Sequence, residues 1–167
     1  MKQSLFAKRK FSGYFKYGFL AAIAYIIPVI YFFYDRKYEN FYFIYIGTIL
    51  FMAAILFYAL KVLSRPVEKE QAITMLMHEF AVIIMGIAFC ILFLIALDFY
   101  FSGDIFNTRP MSDTIKDAPG AMEFHKPAGL LLRLIGIMVL TNFGGGSFIA
   151  IVITFGGKKN QTEDKAA

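Results

Sequence analysis

Four stretches of this chain contain no Asp, Glu, Lys or Arg at all: residues 17–34, 40–60, 80–97 and 134–157, which run to 18, 21, 18 and 24 residues. An α-helix rises about 1.5 Å per residue, so about 20 such residues cross the roughly 30 Å hydrocarbon core of a bilayer. The stretches are continuously apolar rather than striped along one face, as expected of helices that meet no water on any side. Closed β-barrels also satisfy every backbone N–H and C=O in lipid, but they are built from alternating strands of about 10 residues, and none of these stretches alternates. The sequence therefore predicts an all-α fold. It is one integral membrane four-helix bundle over residues 1–167, with spans at 17–34, 41–63, 79–101 and 131–157 and a long loop at 102–127. Composition agrees, since only 17% of the residues are charged, where a soluble domain carries about 25%.

Orientation follows from Lys and Arg, which are kept on the cytoplasmic side of short loops. With the N-terminus inside, 11 of the 17 basic residues fall on the cytoplasmic side, among them Lys8, Arg9, Lys10, Lys16, Lys61 and Lys158, and 6 fall on the other. Both termini are thus predicted to be cytoplasmic. This sorting accounts for the net charge of +5, so membrane lipids are the expected anionic partner and nucleic acid is not expected. Aromatic rings, which collect at headgroup depth, support the same orientation. Tyr31, Phe32, Phe33 and Tyr34 close the first span, Phe41, Tyr42, Phe43 and Tyr45 open the second, and Phe99, Tyr100 and Phe101 close the third. No small-residue cleavage site follows the first apolar run, which is read as an uncleaved anchor. In layout the chain is similar to small four-span proteins of the bacterial inner (plasma) membrane, and that is the expected location.

Between the second and third spans, Ser64, Pro66, Glu68 and Glu70 are residues that cap and open a helix. A helix is expected to start there and run unbroken into span three, with its Ile73, Leu76 and Met77 side turned to the bundle or to the inner lipid surface. The 102–127 loop has turn signals and no periodicity. Its Ile105, Phe106, Met111, Met122 and Phe124 are expected to lay it back over the bundle.

Chemistry-bearing groups within the spans are few, and a polar group in lipid is a functional candidate because burying it is expensive. Asp98 and Arg133 stand near the outer ends of spans three and four and are expected to form an intramembrane charge pair, structural or gating. Span four carries Thr141, Asn142, Phe143, Gly144, Gly145, Gly146 and Ser147. Three consecutive glycines weaken a helix, and Asn142 brings donors and acceptors that lipid does not satisfy. One reading is a broken helix around a substrate site. The other is a packing seam, in which Gly146 and Ala150 let a neighbouring span approach and Asn142 or Ser147 bonds to it. Asn142, Gly144, Gly145, Gly146 and Ser147 are accordingly candidates for substrate contact or for packing.

No catalytic residue, cofactor or metal site is expected. His78 and Glu79 lie at the opposite side from Glu123 and His125, and zinc needs three or four convergent ligands. Cys90 stands alone in span three, which excludes dithiol chemistry and leaves a thiol that packs as a small hydrophobe. The leading expectation is therefore a non-enzymatic accessory or scaffold subunit, with a second copy or another membrane-complex subunit as partner. The alternative is a small-molecule or lipid transporter, acting as a homo-oligomer around Asn142.

Overall fold

The computed structural model describes residues 8–63, 72–102 and 130–163. The chain is all-helical, with no strand among the described residues: α1 (Lys8–Asp35), a short 3-10 turn (Tyr38–Phe41), α2 (Tyr42–Leu63), α3 (Ala72–Ser102) and α4 (Leu130–Glu163). All four α-helices are long and apolar enough to cross a membrane. Even α2, the shortest at 22 residues, reaches about 33 Å at the helical rise. The expected loop from 103 onward, the 64–71 helix start and residues 164–167 lie outside the described residues.

The helices overrun the charge-free stretches. α1 begins at Lys8 rather than at 17, and α3 is already helical at Ala72, ahead of the 79–101 span, in keeping with a helix that runs unbroken into it. A charged side chain ends a lipid-compatible run but not a helix, because the i to i−4 backbone bonds continue as long as φ and ψ allow. Pro28 lies inside α1 and leaves the Ala24 carbonyl without its usual i+4 donor.

Between α1 and α2 the chain reverses sharply. Arg36 takes the left-handed conformation (φ 51°), and its N–H bonds the Phe32 carbonyl at 2.8 Å, which terminates α1 as a C′ residue does. Asn40 Nδ2 then donates to Asp35 Oδ2 at 2.7 Å, tying the two ends of the turn together. We call this the hairpin end of the bundle and the other the terminal end.

In cross-section α1 and α4 stand at opposite corners, each packed against both α2 and α3. Consecutive helices are antiparallel, so α1 runs parallel to α3 and α2 parallel to α4. The registers are set by small residues. A Cβ on Gly18 would lie 2.9 Å from the Gly86 backbone nitrogen, joining α1 to α3, and one on Gly47 would lie 2.7 Å from the Tyr25 carbonyl oxygen, joining α1 to α2. α2 and α3 meet across the short diagonal, where Phe51 sits against Gly86. Around these contacts Tyr25, Phe32, Phe33, Ile44, Phe51, Ile55, Met75, Ile83, Leu94, Leu134 and Met138 are fully buried.

The expected outer aromatic belt divides in two. Tyr31, Tyr34, Tyr42, Tyr45, Phe99 and Tyr100 face outward, whereas Phe32 and Phe33 are buried. Phe32 meets Phe41 edge-on at 5.5 Å between centroids, and Phe33 stacks on Phe101 at 6.1 Å, so the inward rings plug the hairpin end. At the start of α3, Ile73 and Met77 are exposed and Met75 is buried. The Ile73 and Met77 side is therefore turned away from the bundle, because Met75, Val82, Ile83 and Gly86 claim the core-facing stripe.

Alanine at Gly47 is expected to lower the thermal unfolding midpoint in detergent by the equivalent of about 1–3 kcal/mol, the usual cost of overpacking. Alanine at Gly136, where a Cβ meets nothing, should leave the midpoint unchanged or raise it by up to about 1 kcal/mol through helix propensity. Circular dichroism melts of both variants check the pair.

Candidate functional site

Midway along the bundle, polar groups from several helices share one level. Thr48 of α2 and Thr141 of α4 are 3.1 Å apart through their hydroxyls. Thr141 Oγ1 also donates to the Ile137 carbonyl at 2.8 Å and Thr48 Oγ1 to the Ile44 carbonyl at 3.3 Å, so each hydroxyl has a backbone acceptor in its own helix besides its threonine partner. The next residue, Asn142, is 0% exposed, and neither its Nδ2 nor its Oδ1 has a hydrogen-bond partner. On α1, Tyr25 lays its ring against Gly47, one residue from Thr48. Its buried hydroxyl is likewise without a partner, and Cys90 of α3 is its electrostatic neighbour.

The glycine run does not break α4, which is continuous from Leu130 to Glu163. Each glycine faces a different surface. Gly145 meets Met52 of α2, and Gly146 meets Ile83 of α3, where a Cβ would come within 3.1 Å of Cγ1. Gly144 opens outward with nothing near it. The missing side chains let α2 and α3 close on α4 while the backbone bonds stay formed, which removes the need for a broken helix. Ala150, one turn after Gly146, is also buried, so this small-residue pair is spent within the bundle. Ser147 Oγ is buried with no partner. Neither it nor Asn142 bonds the neighbouring helix as the packing reading had it.

Near the hairpin end, Asp98 is buried and Arg133 half-buried. Asp98 lies fifteen residues outward from Ile83, and Arg133 thirteen outward from Gly146 on the antiparallel neighbour, so the two share a depth. Neither is without a partner.

A second polar group fills the terminal end and draws on all four helices. Glu79, seven residues into α3, is 0% exposed. Thr154 of α4 donates to its Oε2 at 2.9 Å, whereas Oε1 is buried with no partner. His78 Nδ1 and the Tyr14 hydroxyl of α1 are hydrogen-bonded. Lys61 of α2 donates to the Tyr17 hydroxyl at 2.7 Å and lies 5.2 Å above that ring, which in turn packs on Tyr58. Among the described residues no three of His, Cys, Asp and Glu converge; Glu123 and His125 lie outside them.

Sequence reasoning missed Glu79, Thr154 and Tyr25 as interior groups. A signal existed for Glu79: it stands four residues after Met75 and three, four and seven before Val82, Ile83 and Gly86, which is the spacing of one helix face. Comparison with protein-family models, with curated proteins and with solved structures gives no match to this chain.

Replacing Asn142 by Leu exchanges two unpartnered buried groups for methyls of similar volume. In ligand-free protein the change is expected to raise stability by about 1–3 kcal/mol, read as a higher thermal midpoint. A lower midpoint would show that the amide is satisfied in the folded protein.

Proposed function

We propose that this chain is a multi-pass protein of the bacterial plasma membrane, with both termini in the cytoplasm, that binds a small polar molecule or a lipid inside its helix bundle and moves it as a homo-oligomer. The observation that carries the reading is Asn142, fully enclosed with both ends of its amide bare. In an apolar bundle such a group lowers stability, and a Leu or Met would fill the same space. An enclosed amide that presents one donor and one acceptor, with the unpaired Tyr25 hydroxyl at the same level, is suited to a carbonyl, hydroxyl or amide function of a ligand. The stability given up is then the cost of a working site. The membrane and its orientation are supported by the four apolar helices and by the 11-to-6 division of basic residues.

The accessory or scaffold reading is favoured by a different observation. On the outer face of α4, Gly136 and Gly144 are both open, and between and beside them Leu140 and Phe148 are exposed. This is a shallow apolar face that admits a partner helix closely. Gly146, turned into its own bundle, does not serve that purpose, so Gly144 is the residue that tests it.

Native mass spectrometry of the protein in mild detergent separates the two. Ligand binding predicts a bound small molecule that is lost in Asn142→Leu while the oligomer persists. Scaffolding predicts that Gly144→Leu dissociates a partner chain and leaves any small molecule in place. Absence of a bound molecule from wild type and variant alike would sink the first reading.

Orientation has its own test in a Cys90→Ser background. A membrane-impermeant maleimide should label Lys37→Cys in intact cells and Gln161→Cys only after permeabilisation; the opposite pattern would reverse the topology.

A further inference from the structure

We propose that Glu79 is a proton-binding site set in the terminal half of the bundle, with Thr154 as the group that fixes which carboxyl oxygen receives the proton. The side chain is 0% exposed, and among the described residues no cation pairs with it. Thr154 Oγ1 donates to Oε2 at 2.9 Å. Oε1 has no hydrogen-bond partner and is itself buried. The carboxyl is thus asymmetric, with one oxygen engaged as an acceptor and the other left bare.

Among the described residues the ionisable groups around it are engaged with other partners. α1 brings Tyr14 and Tyr17 to this level. The first is bonded to His78 of α3, and the second accepts from Lys61 of α2. Tyr58 of α2 packs its ring on Tyr17, and α4 contributes Thr154, which does not titrate. His78 precedes Glu79 in the chain but faces α1, a rotation of about 100° away on the helix.

The occupant follows from the donor set and the space. Calcium takes about six to eight oxygen ligands, and the site offers one carboxyl and one hydroxyl; among the described residues no three of His, Cys, Asp and Glu converge to hold a metal ion. A proton needs one bare oxygen and no cavity. In the binding step, a proton from water at the terminal end adds to Oε1 and forms the neutral carboxylic acid; release returns it to water, and no electron is transferred. Asn142 stands twelve residues from Thr154 along α4, about 18 Å at the helical rise, so the two sites do not overlap. Use of this proton to drive movement of a molecule held at Asn142 rests on the transport reading; proton binding itself does not.

Infrared spectroscopy on the full-length protein, labelled with carbon-13 glutamate and reconstituted in phosphatidylcholine vesicles, tests the proposal across a pH titration. The expected result is a protonated-carboxyl carbonyl band that grows and fades reversibly with pH and is lost in Glu79→Gln. In Thr154→Val the band should persist but move to higher frequency, because a hydrogen bond to the carboxyl is gone. Identical spectra for wild type and Glu79→Gln overturn the proposal, and so does a Glu79 band that never changes with pH. Thr154→Val keeps the test decisive should Glu79→Gln fold poorly. None of these readouts depends on a small molecule at Asn142, so failure of the ligand-binding reading leaves them intact.

Discussion

Gly86 of α3 is where the bundle closes. The backbone of α1 at Gly18 lies against its nitrogen, and the Phe51 ring of α2 covers its Cα. Helices as apolar on every side as these associate through the contact area that close backbone approach permits. A side chain at Gly86 would push away α1 and α2 together. Gly47, against the Tyr25 backbone, performs the same service for α1 and α2, and Gly145 and Gly146 do so where α4 meets α2 and α3. Each of the four helices is thus held by at least one position that lacks a side chain.

This closure decides where the polar groups go. With α2 and α3 meeting across the short diagonal, α1 and α4 stand at the far corners, and the core-facing side chains of those two helices point toward one another. Tyr25 on α1 and Asn142 on α4 are both fully buried on the inner sides of their helices. The Thr48 and Thr141 hydroxyls beside them bond to one another and to backbone carbonyls of their own helices, which commits both hydroxyl protons. At the terminal end the same geometry brings Glu79 to Thr154 while His78, one residue earlier, turns to Tyr14. Two neighbouring residues of α3 therefore serve different helices.

The sequence made part of the candidate site legible. Asn142 and the glycines stand out because polar and helix-weakening residues are rare in an apolar run. Asp98 stands out because a charge interrupts one. Glu79 was hidden by its position, since the first residue of the 79–101 span reads as a charge at the helix end rather than inside the bundle. Its spacing from Met75, Val82 and Gly86 held the correction. Tyr25 was hidden for another reason. Flanked by Ala24 and Ile26 in mid-span, it carries no local signal of which way its ring turns, and the contact with Gly47 sets that ring inside the bundle.

Taken alone, the sequence determined four long helices, the tight reversal between the first two and the scarcity of charge within them. Each of these is a local property, fixed by i to i−4 bonding, by apolar content over about twenty residues and by the chemistry of a short turn. Only the tertiary structure decided that α1 and α4 take opposite corners, that the glycine run packs against two helices without breaking its own, and that Glu79 and Asn142 are enclosed with atoms unpaired. Those outcomes depend on the rotation and register of each helix against its neighbours. Rotation and register are set by contacts between residues far apart in the chain, which no single span encodes.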